Sequence, residues 1–330
     1  MSSTSPPAGP KQPRSKQIGV TIRTVREEDL SVVNRIFRLS FGTFLKLPDP
    51  MTFMGDADYV RTRWLADPSA VLGAELAGDL VGVNFAARWG SVGFFGPLAV
   101  LPELWDRGIA QLLLEPTMEL FGQWGIRHAG LFTFASSTKH VSLYQKFGFW
   151  PRFLTALMES QLGTESSSGE WSRFSELLAS QRDDCLKACR DVTNSVYGGL
   201  DLDREIRAVY DQHLGDTVLI WDASRLIGFA VCHVGAGTEA GSGKCYVKFG
   251  VVRCGTEAPQ DFRRLLGACR EFAASVGAKT LTAGVNLARL DAYREMIQAG
   301  FRATAQGVAM ERNGEPGYNR PDVFLIDDWR

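Results

Sequence analysis

The chain has 330 residues, a formal net charge of −1 and 45% hydrophobic residues. This length predicts two domains, and the apolar content is sufficient for a packed core in each. A charge so close to zero argues against a dedicated nucleic-acid-binding protein, which is normally basic. No run reaches the ~18 uninterrupted apolar residues that a membrane-spanning helix needs.

The chain begins with a polar segment, residues 1–17, that is rich in Ser, Pro, Lys and Gln. This segment lacks the apolar core of a signal peptide, so we expect a disordered tail and a cytoplasmic protein.

All six cysteines follow residue 184, and Cys185 and Cys189 lie four apart on an expected helix. That spacing could hold a metal ion if two further ligands were available. No partner pair has ligand spacing, so two ordinary thiols on a helix face, with no metal, are the favoured interpretation.

The first elements of the chain are predicted from hydrophobic spacing. Leu30, Val33, Ile36, Phe37 and Phe41 recur at the helical period. Alternating or apolar runs on either side of a polar turn indicate a β-hairpin. The predicted order is a strand at 20–23, a helix from 30, a helix at 59–65, and hairpin arms at 70–76 and 80–86.

The next segment, residues 97–110, carries the strongest chemical signal. A strand ending at 98–101 leads through a proline-containing turn and a small-residue loop into a helix predicted at 111–121. Backbone amides at a helix start have no partner inside the helix, and the helix dipole places partial positive charge there. Gly108 and Ala110 would let an anion approach the backbone closely. The pattern therefore predicts a site for phosphate oxygens.

Three further elements complete the first half. The sequence predicts a buried strand at 129–134, a short helix at 141–147 that stops at Gly148, and a strand at 153–160.

The second half repeats the order of elements in the first. The hairpin segment 80–82 is echoed at 226–228, and Gly148-Phe149 is echoed at 300–301, so the separations are 146 and 152 residues. Two units of about 150 residues are therefore expected. We place the first unit at 18–160, a linker rich in Ser, Gly and Glu at 161–169, and the second unit at 170–330.

The second unit lacks the chemical features of the first. Its loop after the strand at 246–252 contains acidic residues and Pro259 where free amides should face a phosphate. Met296 stands four residues before Gly300, and Tyr293 lies one turn too early. We expect a structural or substrate-shaping partner, and we expect the apolar run within 319–330 to dock on one of the sheets.

The order strand, loop, helix, strand, then Leu143-Tyr144 before Gly148-Phe149, resembles the GCN5-related N-acetyltransferase (GNAT) superfamily over about 20–160. The phosphate loop of that family has the form Gln/Arg-x-x-Gly-x-Gly/Ala. Arg107, Gly108, Ile109 and Ala110 match its last four positions, whereas Trp105 replaces the first.

The resemblance implies an α/β fold, classed as α+β in some schemes, made of two acyl-CoA N-acyltransferase units. Each unit would have a mixed, mostly antiparallel central sheet flanked by helices. The second unit would be a degenerate copy, as in tandem members of the superfamily.

The resemblance also implies acetyl-CoA as the acyl donor. Its pantetheine arm would pair like a strand with the backbone of Leu98, Ala99 and Val100. Its pyrophosphate would lie on the loop and helix start, formed by Trp105, Asp106, Arg107, Gly108, Ile109, Ala110 and Gln111. Trp105 cannot supply the charge that other members place there, so Arg107 would contribute it, and Trp105 could cap the loop by packing.

Two side chains are candidates for catalysis. Tyr144 matches the family tyrosine that often acts as general acid toward the departing sulfur, although it could also be a packing residue. His140 lies one turn earlier and, with an ordinary pKa near ~6.5, could act as base. It could equally contact the cofactor or begin a helix.

Four aromatic residues could line an acceptor pocket, but a core role is favoured for them. They are Trp89, Phe94, Phe95 and Trp150.

These observations favour an N-acetyltransferase that moves an acetyl group from acetyl-CoA to an amine of a small molecule or peptide, with the first unit active. The alternative is a non-catalytic CoA-sensing or protein-interaction module on a drifted fold. Chemistry like that of mycothiol synthase is a third interpretation. It is disfavoured because the second unit is the competent one there.

Overall fold

A computed structural model describes residues 19–163 and 170–330. The predicted disordered tail at 1–17 lies outside the described residues, as does most of the predicted linker. Strands form one continuous mixed sheet with helices packed on its faces. The α/β class predicted from the sequence is confirmed.

The first half, residues 19–163, contains six strands and four α-helices. Its elements are β1 (Val20–Thr24), α1 (Leu30–Phe44), α2 (Tyr59–Ala66), β2 (Val71–Leu76), β3 (Asp79–Trp89), β4 (Val92–Val100), α3 (Ile109–Gln123), β5 (His128–Thr133), α4 (Thr138–Gln145) and β6 (Phe149–Gln161). The helix α3 begins two residues before the predicted start, and β6 begins four residues before it. In α4 the start moves to Thr138 because the Ser137 side chain accepts a hydrogen bond from the third amide of the helix.

The second half, residues 170–330, repeats this order and adds a final short strand. Its elements are β7 (Trp171–Arg173), α5 (Ala179–Val196), α6 (Asp203–Asp211), β8 (Gly215–Asp222), β9 (Arg225–Gly235), β10 (Gly241–Val252), α7 (Ala258–Ser275), β11 (Thr280–Asn286), α8 (Leu290–Gln298), β12 (Arg302–Arg312) and β13 (Leu325–Ile326). None of the helices in the described ranges is long and apolar enough to cross a membrane.

The two halves exchange strands at the centre of the sheet. The strand order is β1-β2-β3-β4-β5-β12-β6-β11-β10-β9-β8-β7, and β13 pairs with β10. Thus β12 of the second half lies between β5 and β6 of the first, and β6 lies beside β11. The unit boundary that we place after residue 160 stays a prediction, because β6 contributes to the sheet of both halves.

The strand registers show that the halves are related by a pseudo-twofold axis. Thr155 pairs with Gly307, and these two residues are themselves 152 positions apart. The pair Val92–His128 in the first half corresponds to Lys244–Thr280 in the second. The pair Thr133–Val308 corresponds in the same way to Val285–Ala156. Each pair is carried onto its counterpart by a shift of 152 residues, which is one of the two separations found in the sequence.

Three of the four aromatic residues considered for a pocket belong to the core. Trp89, Phe94 and Phe95 are each 2% exposed, whereas Trp150 is 50% exposed. Trp89 and Phe94 pack with α5 and with the segment around β13, which places one hydrophobic core between the two halves. The favoured core interpretation is confirmed for these three residues and wrong for Trp150.

Cys185 and Cys189 lie on α5 and are buried in the same core. In the part of the chain that the structure describes, no cluster of three or more His, Cys, Asp or Glu side chains could hold a metal ion.

Candidate functional site

The strands β4 and β5 diverge partway along their length. They pair in parallel only at Val92, Gly93 and Phe94 of β4. Beyond Phe94, the described chain places no strand against this edge of β4. The opening therefore leaves this edge of β4 unpaired over its last residues, where a pantetheine arm is predicted to bind.

The backbone of β4 directs hydrogen-bonding groups into this opening. The Leu101 amide donates to the Val81 carbonyl at 2.9 Å, on the β3 side. Because successive residues of a strand face opposite edges, Ala99 also faces β3, whereas Leu98 and Val100 present their amides and carbonyls to the open edge. An extended chain with amide groups could pair there.

Trp105 fastens the loop that follows β4. Its indole N–H donates to the Val100 carbonyl at 2.7 Å, and its ring packs on the core of the first half. A tryptophan at this position thus holds the loop against the strand, which is the packing alternative considered for it. The same hydrogen bond uses one acceptor at the open edge.

The loop from Asp106 to Gly108 turns sharply into α3. Gly108 has a φ of +83° and Asp106 a φ of +66°. A glycine adopts such a conformation without strain, and a Cβ atom added at Gly108 would meet nothing within 4 Å. The open side of this turn is therefore free to receive a ligand.

The amides at the start of α3 are available to an anion. Among the described residues, no backbone carbonyl accepts a hydrogen bond from the amides of residues 106–110, Ile109 and Ala110 included. The Gln111 amide differs, because it donates to the Gly108 carbonyl at 3.0 Å. Five of the seven predicted phosphate-binding positions thus have free amides, with the helix dipole behind them.

Two cationic side chains lie at this loop. Arg107 is exposed. Lys139, at the start of α4, lies 2.5 Å from the Asp106 carboxylate and over the Trp105 ring at 5.9 Å from its centroid. Lys139 was not predicted from the sequence. The signal available in the sequence was the position of Lys139 directly after Ser137 and Thr138, at the capped start of a helix.

Tyr144 is buried beside the opening. Its ring packs on Phe95 with 5.6 Å between centroids. Burial raises the pKa of Tyr144 well above its usual value. The phenol therefore keeps its proton at neutral pH, which is the form a general acid needs.

His140 lies one turn before Tyr144 on α4. Its ring packs on Phe44 of α1 with 4.9 Å between centroids. Burial, assisted by the Lys139 charge, lowers the pKa of His140. The imidazole is thus neutral at pH 7, which is the form that can accept a proton.

The equivalent opening in the second half is filled by the chain itself. Gly250 and Val251 of β10 pair with Ile326 and Leu325 of β13, and the Val252 amide donates to the Phe324 carbonyl at 3.3 Å. Gly250 and Val252 are the counterparts of Leu98 and Val100 by the 152-residue repeat. The predicted docking of the closing apolar run is confirmed, and it covers this edge.

The helix start after β10 also differs from that of α3. Pro259 removes one amide, and Glu257 and Asp261 place carboxylates at the first turn of α7. The counterpart of Tyr144 is Met296, which is fully buried. The second half thus presents neither a vacant strand edge at β10 nor a phenol on α8 at this position.

The comparisons with known proteins agree with this geometry. Residues 35–149, which contain the open edge, the loop and Tyr144, match the model of the acetyltransferase (GNAT) family. These residues are a GNAT domain. Family and fold together support acetyl transfer as the general activity.

Solved GNAT structures share the fold over most of the chain. A protein of Pyrococcus horikoshii whose description proposes an acetyltransferase is 16% identical, with a TM-score of 0.67 over 94% of this chain and 95% of that one. A GCN5-related N-acetyltransferase of Sphaerobacter thermophilus is 13% identical, with a TM-score of 0.55 over 90% and 96%. At such identities the likeness shows the fold alone.

A third structure is the GCN5-related glucosamine N-acetyltransferase region of a fungal multi-domain β-N-acetylglucosaminidase. It is 12% identical, with a TM-score of 0.62 over 88% of this chain and 38% of that chain. A search of curated proteins found no match.

Proposed function

We propose that this protein is an N-acetyltransferase that transfers an acetyl group from acetyl-CoA to an amine of a small molecule or peptide. The active unit is the first half. The observation that carries the proposal is the open edge of β4 next to the free amides of α3 and the buried Tyr144. The counterpart edge of β10 in the second half is covered by β13.

The residues of the first half fit acetyl-CoA. The edge groups of Leu98 and Val100 suit the amides of a pantetheine arm, because both partners offer a donor and an acceptor. The free amides at the start of α3, together with Arg107 and Lys139, suit a diphosphate. When bound, acetyl-CoA supplies an acyl group activated as a thioester.

The chain's own residues provide placement and proton transfer. The β4 edge and the α3 amides hold the donor so that a neutral amine can attack the acyl carbon, forming a C–N bond as the C–S bond breaks. Tyr144 donates a proton to the departing sulfur. His140 accepts the proton that the amine loses, so one proton passes from amine to thiol overall.

The second half serves as a scaffold in this proposal. Its β10 edge is covered by β13. The carboxylates at the start of α7 would repel the negative charge of a diphosphate, so they disfavour its binding there. The same features argue against an active second unit like that of mycothiol synthase. The chain would thus be a tandem acetyltransferase with one working site.

A non-catalytic CoA sensor is the second candidate. It is favoured by Trp105, which replaces the charged residue of the family loop and occupies the Val100 carbonyl that a pantetheine arm could use. A sensor would bind CoA with the same loop but would transfer no acetyl group.

Acetyl-CoA turnover with a panel of amines separates the two candidates. The panel should contain aminosugars, aryl and alkyl amines, polyamines and peptide N-termini, and release of free CoA thiol is measured. Turnover with any amine supports the enzyme. CoA binding without turnover supports the sensor, and the absence of binding overturns both.

A further inference from the structure

A buried network of charges joins the second half to β4 of the first. Its centre is Glu239, in the turn between β9 and β10, whose side chain is fully buried. Arg63 of α2 and Lys248 of β10 both bind this carboxylate, each at 2.8 Å. Burial alone would raise the pKa of Glu239, but the charges of Arg63 and Lys248 hold the pKa well below its usual range. The carboxylate is therefore ionised and paired.

Arg63 connects this carboxylate to the backbone of β4. Its Nε and Nη2 atoms donate to the two Glu239 oxygens at 3.0 and 2.8 Å, which is a bidentate pair of fixed geometry. Its Nη1 atom donates to the Gly96 carbonyl at 2.6 Å. With both oxygens of Glu239 engaged, the guanidinium has little freedom to leave Gly96.

Gly96 lies in a β-bulge immediately before the open edge. Between the pairs Ala86–Phe95 and Asn84–Leu98, β4 has one more residue than β3. A bulge bends its strand and re-aims the residues that follow it. The direction of the Leu98 amide and carbonyl therefore depends on how the Gly96 carbonyl is held.

The counterpart of this bulge lies in the second half at Lys248, which is 152 residues after Gly96. Its ammonium group binds Glu239 and also Glu205 of α6, at 2.8 and 2.9 Å. Glu205 in turn accepts a hydrogen bond from the Trp89 indole of β3 at 3.3 Å. The two bulges thus meet in one network, in which Arg63 binds the backbone of the bulge beside the open edge.

The turn that carries Glu239 is itself fixed to the first half. The Asp58 amide donates to the Thr238 carbonyl at 2.9 Å, and the Gly237 amide donates to the Asp56 carbonyl at 3.0 Å. Asp56 also accepts from the Ser242 amide at 2.9 Å. The second half therefore holds the segment that leads into α2 at the same place where it holds Arg63.

We propose that Arg63 is a positioning residue for acyl transfer and that the second half sets its position through Glu239. This inference rests on the proposed function. Arg63 fixes the Gly96 carbonyl, the bulge aims the Leu98 edge, and that edge places the acyl group before the amine. The second half then contributes to turnover without binding substrate or donor.

The test uses the full chain with Arg63→Lys and Glu239→Gln. A lysine cannot bridge Glu239 and Gly96 with a planar fork, and a glutamine removes the charge that holds Arg63. Each substitution is expected to lower kcat about tenfold, because small misplacement of reacting groups is costly. The Kd for CoA, measured by calorimetry, should rise by less than kcat falls, since the α3 amides that hold the diphosphate are untouched. If Glu239→Gln does not fold, Glu239→Asp replaces it, with the charge kept and the reach shortened.

The matched control is Glu205→Gln. It removes a partly buried carboxylate of the same network that pairs with Lys248, and among the described residues Arg63 is not one of its hydrogen-bond or ion-pair partners. This variant should lose thermal stability while keeping the wild-type kcat. An unchanged kcat in folded Arg63→Lys would overturn the inference, as would an equal loss of kcat in Glu205→Gln. A wild-type chain that turns over no amine would instead refute the proposed function, and the inference with it.

Discussion

The two halves share one fold but differ at a single strand edge. In the first half, β4 and β5 diverge and the edge at Leu98 and Val100 is open. In the second half, the counterpart edge at Gly250 and Val252 is covered by the chain's own β13. The helix starts beside the two edges also differ. The start of α3 has free amides, whereas the start of α7 has two carboxylates and a proline.

Under the proposed function, this difference lets a duplicated fold keep its stability while one copy changes its role. An unpaired strand edge leaves backbone groups without partners, so it is retained where a ligand can satisfy them. Covering the edge with β13 satisfies those groups permanently. The second copy can then serve as the support of the first, through the exchanged strands and the Glu239 network.

The largest effect on turnover is expected at Tyr144, the proposed general acid of the first half. Tyr144→Phe should lower kcat by about 10²-fold or more, because a general acid typically contributes that much. The Kd for CoA should not change. Steady-state kinetics and calorimetry on the same preparation measure both.

Tyr293→Phe is the control for Tyr144, because Tyr293 lies on α8 and packs on the core of the second half. Its kcat should equal that of the wild type. Equal turnover in Tyr144→Phe would remove Tyr144 from the mechanism, whatever the control shows.

The next effect concerns the turn before α3. Gly108→Ala should weaken CoA binding about tenfold, because a side chain at a positive φ costs roughly 1–2 kcal/mol and favours a rearranged loop. Gly125→Ala is matched to it, with a φ of +66° and open space around the Cβ, at the other end of the same helix. The control should lose similar stability but bind CoA as the wild type does. A similar loss of affinity in both variants would exclude a specific role for the loop.

Hydrogen exchange compares the two edges directly. In ligand-free protein, the amides of Leu98 and Val100 should exchange about tenfold or more faster than those of Gly250 and Val252, because only the latter have strand partners. Added CoA should slow exchange at Leu98 and Val100 alone. Protection that appears at Gly250 instead would reverse the assignment of the active half.

The smallest effect compares two glutamates related by the repeat. Glu311 on β12 is buried beside Asn319, and burial raises its pKa to about 7, from 4.5 in an unfolded chain. Glu159, 152 residues earlier, is partly exposed and pairs with Lys244 at 2.8 Å. Because folded Glu311 binds its proton more tightly, the stability it contributes is complete below pH 4.5 and is lost as the pH rises through 7.

Glu311→Gln should therefore gain about 1–3 kcal/mol relative to the wild type between about pH 5 and about pH 8. Urea unfolding at the two pH values measures this difference. Glu159→Gln is the matched variant at the partly exposed counterpart position. A Glu311→Gln profile parallel to the wild type would show that the buried carboxyl does not titrate in this range.

The parts predicted from the sequence are those with local causes. The turn at Gly108, the start of α3 and the stop at Gly148 follow from residues within one turn of each site. A repeat of about 150 residues was visible in the sequence because the order of elements is kept even where the chemical features are lost. The docking of the apolar run before Asp327 on a sheet was predicted because apolar residues favour a buried position.

The parts that were missed depend on distant partners. The exchange of β6 and β12 leaves no trace in either strand's own pattern, because a buried strand reads the same beside any neighbour. The Lys139–Asp106 and Arg63–Glu239 pairs join residues that are 33 and 176 positions apart. Trp105 was an anomaly in the loop pattern until its hydrogen bond to Val100 gave it a structural role.

A crystal structure of the full chain with CoA would show directly which half binds the donor. We expect one CoA per chain, with its diphosphate on the amides between Asp106 and Ala110 and its pantetheine arm along Leu98 and Val100. The β10 edge should still be paired with β13. CoA bound at α7, or a chain that binds no CoA at saturating concentration, would refute a donor site in the first half.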